Sequence, residues 1–279
     1  MQFKNAHLVK QLTTIIGVGA ALLLSATVSA HAYTDLGSNS HIQYVKVKRP
    51  LFTGQYTKIH GKKGQPIITP KGTILQVEST TYSGKGPSHA LLSRGVISYQ
   101  KQQRIYQPDN SYIKHYNTKY FSPYKLRLPV RTLALQAGKG FTNNKAGYYK
   151  PIFYITLDGY LQYYTTPRLK HYGAQNSWQS TKGVPAVDNP IWTIKPSVSE
   201  KIGTFKSKGN TSYVYYQKPI KGLAAKKVSA KYYRLTIKKG QTQNKIWHYG
   251  DEDTRLGIWT NYTVGGNPFY NLVEVSEAD

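Results

Sequence analysis

The sequence predicts an all-β protein, two to three small barrel or sandwich modules placed behind an N-terminal export segment. Three observations lead there. Helical periodicity is almost absent, and short strand-like runs recur between Gly, Pro and Asn. Tyrosine is abundant (25) where phenylalanine is scarce (7). A tyrosine ring brings apolar area with a hydroxyl that needs a partner or water, which suits half-buried strands better than a thick aliphatic core.

The elements follow in chain order. Lys4 and Lys10 make a positive start, and Leu12–Val28 is almost free of polar groups apart from small hydroxyls. Ala30-His31-Ala32 is then a small-x-small cleavage site. Residues 1–32 therefore read as a signal peptide, with the mature chain starting at Tyr33. An uncleaved anchor is the alternative, and 17 apolar residues is the lower limit for one. Ile42–Lys48, Thr73–Glu78, Val96–Gln100 and Tyr124–Leu128 read as strands. Ile152–Leu157 and Tyr160–Thr165 flank Asp158-Gly159, a good hairpin turn because Gly accepts positive φ. Ser212–Tyr216, Tyr232–Ile237, Ile246–Tyr249, Ile258–Thr263 and Leu272–Val275 complete the strands. Only Ser88–Ser93 and Leu223–Ala230 look helical.

Proline-aliphatic marks at Pro50-Leu51, Pro129-Val130 and Pro219-Ile220 lie 79 and 90 residues apart. They suggest modules at 33–109, 110–196 and 197–279, the last with an acidic end. Turn dipeptides of this kind also recur by chance in a Gly- and Pro-punctuated β-protein.

Pro70-Lys71-Gly72-Thr73-Ile74-Leu75-Gln76-Val77, followed by Gly95-Val96-Ile97-Ser98-Tyr99, resembles the bacterial SH3-like module. That module occurs in surface proteins and wall hydrolases of Gram-positive bacteria. Trp247 with Gly257-Ile258-Trp259-Thr260-Asn261 is similar to a second instance, and 110–196 fits the pattern least. The composition is also similar to that of secreted surface proteins of lactobacilli. The resemblance implies SH3-like barrels that hold to the cell wall.

Charge limits the partners. Lys and Arg number 38 against 12 acids, for a formal net charge of +26. Six of the acids (Asp251, Glu252, Asp253, Glu274, Glu277, Asp279) sit in the last 29 residues. With no cysteine there is no disulfide framework and no thiol nucleophile. No Gly-x-Ser-x-Gly elbow occurs, and Ser83-Gly84-Lys85-Gly86 reads as a flexible turn. Carboxylates for glycoside cleavage are sparse in the basic body: Glu78, Asp109, Asp158, Asp188 and Glu200. Asp251-Glu252-Asp253 lacks the spacing of an EF-hand loop. No catalytic residue, cofactor or metal site is assigned.

Bases and aromatics interleave instead, as a polyanion-binding surface requires. The expected cationic contacts are Lys48, Arg49, Lys114, Lys119, Lys150, Lys231, Arg234, Lys238 and Lys239. The expected aromatic contacts are Tyr116, Tyr120, Tyr149, Tyr232, Tyr233, Trp247 and Trp259, with Trp178 and Trp192 beside them. The leading expectation is a secreted, non-enzymatic protein that binds anionic wall polymers (teichoic acid or peptidoglycan), wall-associated without a covalent anchor or, after cleavage, a membrane span. A wall hydrolase with a carboxylate site is one alternative. A binder of host acidic glycans or of extracellular nucleic acid is the other.

Overall fold

The computed structural model describes residues 33–39, 41–82, 87–142, 147–173, 190–249 and 253–277. The export segment 1–32, the Ser83–Gly86 turn, Trp178, Asp188 and Asp251-Glu252 lie outside the described residues. Strand makes up 51% of the structure and only two short helices interrupt it, so the class is all-β. Among the described residues, no helix is long and apolar enough to cross a membrane.

Two small antiparallel sheets come first. β1 (Tyr44–Val47), β4 (Ile74–Thr81), β5 (His89–Ser93) and β7 (Phe121–Pro123) form one, ordered β5-β4-β1-β7. β2 (Leu51–Ile59), β3 (Lys62–Thr69) and β6 (Ile105–Tyr106) form the other, ordered β3-β2-β6. The β1 sequence YVKV shows why a strand forms. Val45 and Val47 are buried on one face while Lys46 is exposed on the other. They meet Leu75, Leu92, Tyr116 and Phe121 in a shared core.

A buried polar network ties the two sheets. The Gln55 amide donates to Leu92 O at 2.8 Å. Arg94, only 6% exposed, donates from Nε to Gln55 Oε1 (2.9 Å) and from Nη2 to Thr69 Oγ1 (2.8 Å). Its charge is thus held by neutral acceptors, and burial lowers its pKa.

The rest of the chain closes on itself. β8 (Leu135–Ala137), β9 (Ile152–Ile155), β10 (Tyr160–Tyr164), β11 (Val198–Lys208) and β12 (Thr211–Tyr216) pair in sequence. β14 (Tyr233–Tyr249), β15 (Asp253–Val264) and β16 (Asn267–Glu277) continue the meander. β12 pairs with both β11 and β14, and β8 with both β9 and β16. The result is an eight-stranded antiparallel barrel, a closure that removes open sheet edges. The short β13 (Lys226–Lys227) adds to the start of β14.

Phe153, Ile155, Leu161, Tyr163, Val214, Tyr216, Leu235, Ile237, Tyr262 and Phe269 fill the interior. Leu128 and Val130 from the segment before β8, and Ile220 and Leu223 from the β12–β14 connection, join them. Eight strands leave room for little more than their own side chains or one small ligand.

β9 is buried on both faces. Its outward Ile152 and Tyr154 lie under α2 (Thr166–Tyr172) and the 3₁₀ turn Pro190–Trp192, with Tyr164, Leu169 and Ile191. The Tyr154 hydroxyl donates to Gln162 Oε1 at 2.8 Å and lies 2.9 Å from that of Tyr164.

Several expectations needed revision. Ser88–Ser93 is a strand, because Ala90 and Leu92 point inward and alternate with His89 and Leu91 when paired with β4. Leu223–Ala230 forms no helix; Leu223 turns into the barrel and Lys226–Lys227 pairs with β14. Val96–Gln100 leads into the four-residue α1 (Tyr99–Gln102), and Tyr124–Leu128 is not in a strand.

The β2–β3 hairpin and β11 carry no clear strand pattern in the sequence. Gly54, Gly64 and Pro66 interrupt the hairpin's pattern, and a register shift at Ile202/Thr204 breaks the alternation of β11. The division expected at 196/197 falls between β10 and β11, which are neighbours in the barrel. Residues 33–279 group as one compact unit.

Candidate polyanion-binding face

The barrel wall built from β11, β12, β13 and β14 sorts its residues by alternation. Val214, Leu235 and Ile237 point inward, so the intervening residues point out. Directly paired residues in an antiparallel sheet share a face, and the register therefore sets out three rows. Lys208, Thr211 and Lys238 form the first, Lys206, Tyr213 and Thr236 the second, and Thr204, Tyr215, Arg234 and Lys226 the third.

Five cations and two tyrosines thus occupy one wall with no acid among these ten positions. Lysines two positions apart on a strand are about 7 Å apart. At that distance two unit charges repel by roughly 0.6 kcal/mol in water, before salt screens them. An anionic chain laid across the rows relieves that repulsion. The Arg234 guanidinium lies 5.4 Å from the centre of the Tyr213 ring, so one tyrosine already steadies a cation here. Its Nε is buried and makes no hydrogen bond among the described residues.

A second basic cluster sits where β1 meets β7. Lys48 Nζ donates to Thr118 O at 2.6 Å, and Arg49 Nε and Nη2 each approach Lys119 O at 3.4 Å. Arg49 is 4.8 Å from the Tyr120 ring centre, and Lys119 lies 5.3 Å from Tyr33 and 5.5 Å from Tyr120. Strand pairing gathers cations some 70 residues apart around one aromatic ring.

The expected contact residues separate accordingly. Lys48, Arg49, Lys119 and Tyr120 come together, and Arg234 and Lys238 share the barrel wall. Lys231 stands exposed in the turn just before β14. Lys239 follows Lys238 on the opposite face, paired with Tyr262. Lys114 is exposed beside the Ile113–Ala90 bridge, and Lys150 stands at the barrel end.

Among the aromatics, Tyr116 is corrected to a core residue with no exposed surface. Trp259 is 7% exposed, in a cluster with Phe141 and Tyr270. Tyr149 packs against the outer layer over β9, Tyr233 against the barrel interior, and Tyr232 on Gly203. Trp247 stays half-exposed, with Lys245 Nζ 5.4 Å from its ring centre. Trp192 packs edge-on against Tyr154.

Lys206, Lys208, Tyr213, Tyr215 and Lys226 join the wall beyond the contacts the sequence predicts. The signal was there: TFKSK, TSYVYY and RLTIK each alternate a base or tyrosine with a smaller or apolar residue. Only the pairing shows that the three runs lie side by side.

Carboxylates in the body serve local structure. Asp35 accepts from Ser88 N, Ser88 Oγ and Gly37 N. Asp158 accepts from Ser98 N (2.8 Å) and Ser98 Oγ (2.7 Å), Glu78 from Ser93 Oγ, and Glu200 from Lys218 N. Among the described residues, no three His, Asp or Glu side chains gather as a metal site. No protein-family model, no curated protein and no solved structure matches this chain.

Proposed function

We propose that the protein is an exported, non-enzymatic binder of an anionic wall polymer, with the β11–β14 wall as its main contact face. The observation that supports this most is the wall itself: five cations and two tyrosines in register, with no acid among them. Ammonium and guanidinium groups neutralise phosphates or carboxylates, while the tyrosine rings stack on sugars. The Tyr120 cluster adds a second contact on the first sheets. The SH3-like resemblance belongs in this reading to the same sheets, with Gly72 at φ +85° in the β3–β4 turn. The contact with the polymer in this reading is electrostatic, supported by aromatic stacking.

The test is retention of the protein on native walls and on walls stripped of teichoic acid, across a salt series. Retention on native walls alone, lost as salt approaches about 1 M where the Debye length is ~3 Å, supports the proposal. Equal retention on both walls, or retention unchanged by salt, overturns it. Clearing of wall material around the protein, abolished by changing one carboxylate, favours a hydrolase instead.

A further inference from the structure

At the barrel end where β12 leads into the 217–225 connection lies a cavity of about 310 Å³. That is near the lower bound for small-molecule sites, the space of a single ring with substituents. Tyr163 and Phe269 line it with Ala137, Pro151 and Pro268, and Gly138 and Gly222 carry no side chain into it. A Cβ on Gly222 would collide with the Tyr163 hydroxyl, and Gly222 sits at φ +103°, where only glycine is unstrained.

Two polar side chains, Tyr163 and Lys150, line the cavity. Tyr163 is 4% exposed, and its hydroxyl stands beside Gly222 at the cavity. Burial also holds its phenol neutral and so able to donate. Lys150 lines the cavity from an exposed position, and its ammonium makes no ion pair among the described residues. The Asn267 amide adds a hydrogen-bonding group. Among the described residues no acid lines the cavity, so an anion is favoured over a cation.

We propose that the barrel end binds a sugar acid: one hydroxylated ring whose carboxylate pairs with Lys150 and whose hydroxyl meets Tyr163. The flat faces of Tyr163 and Phe269 stack on the ring. This site is separate from the β11–β14 wall and stands or falls independently of the polymer-binding proposal.

Calorimetry on the intact protein tests it with glucuronate, glucose and benzoate as probes, for wild type, Lys150→Met and Tyr163→Phe. Glucuronate should bind wild type about tenfold more tightly than glucose does, the worth of one charge-assisted hydrogen bond. Lys150→Met should remove that preference, and Tyr163→Phe should weaken glucuronate several-fold while leaving the melting curve cooperative. No binding of glucuronate overturns the proposal. So does binding untouched by Lys150→Met, an exposed change that leaves the fold intact, and so does benzoate binding as tightly as glucuronate.

Discussion

Single residues show how finely burial separates side chains of one type. Tyr116 and Tyr120 lie four residues apart, yet one fills the core and the other stands between two cations, Arg49 and Lys119. Nothing in HYNTKY tells them apart, because strand pairing from distant segments decides which ring is covered. The Tyr116 and Tyr216 hydroxyls are buried without a hydrogen bond among the described residues. Removing such an oxygen relieves its desolvation, so Tyr216→Phe should raise stability by about 1 kcal/mol in denaturant unfolding. A loss of stability would show that the hydroxyl has a partner. The reverse holds at Gln55, where Ala would strip the acceptor from the Arg94 Nε and cost about 2–3 kcal/mol. Asp35 gives a pH signature. Burial raises its pKa, but hydrogen bonds from Ser88 and Gly37 outweigh that and hold it below the ordinary 3.8. Its contribution is present above the unfolded value near 4 and lost as pH falls through the lower folded value. Asp35→Asn should therefore flatten the stability curve below about pH 4, measured by melting across pH.

Strands are the scale at which the candidate face is partly legible in the sequence. The alternation of β12 and of the start of β14 marks both as strands, and Arg234 and Lys238 are among the cationic contacts the sequence predicts there. Lys239 was grouped with Lys238 because adjacent charges look like one patch in a sequence, whereas a strand sends neighbours to opposite faces. β11 was missed because its register shift moves Phe205 inward three positions after Ile202. Long β14 and β15 carry a further close contact at Gly257. A Cβ there would lie 2.6 Å from Trp247 Cζ3 and 3.0 Å from Phe141. Gly257→Ala should displace the Trp247 ring and destabilise by about 1–3 kcal/mol, the usual cost of overpacking. A red-shifted tryptophan emission would report it, and an unchanged spectrum and melt would contradict the contact.

Barrel closure explains features of the whole molecule that composition only hinted at. Many tyrosines and few phenylalanines did predict half-buried β-structure, but several tyrosines are fully enclosed. Burial pushes the Tyr216 phenol up to about 12, with Glu200 adding to the effect, and raises Tyr116, Tyr154, Tyr164 and Tyr270 further. Raised phenol values mean stability that is complete below the unfolded value near 10 and lost as pH rises through the folded values. The protein should unfold in alkali with a late, cooperative rise of phenolate absorbance. Smooth titration of all tyrosines near pH 10 would contradict their burial. The charge is likewise a property of the assembled surface, since the β11–β14 wall gathers from four strands what no single strand contains. The most direct test compares two variants of equal net charge for binding to native walls over a salt series. Lys206→Gln with Lys208→Gln and Lys238→Gln strips the wall, and Lys62→Gln with Lys71→Gln and Lys101→Gln removes exposed lysines elsewhere. The account predicts that the first variant binds at least about tenfold more weakly at ~0.1 M salt and has a shallower salt dependence, as loss of several ion contacts requires. The second should bind like wild type. Equal weakening of both variants, or none in the first, would contradict a defined binding face.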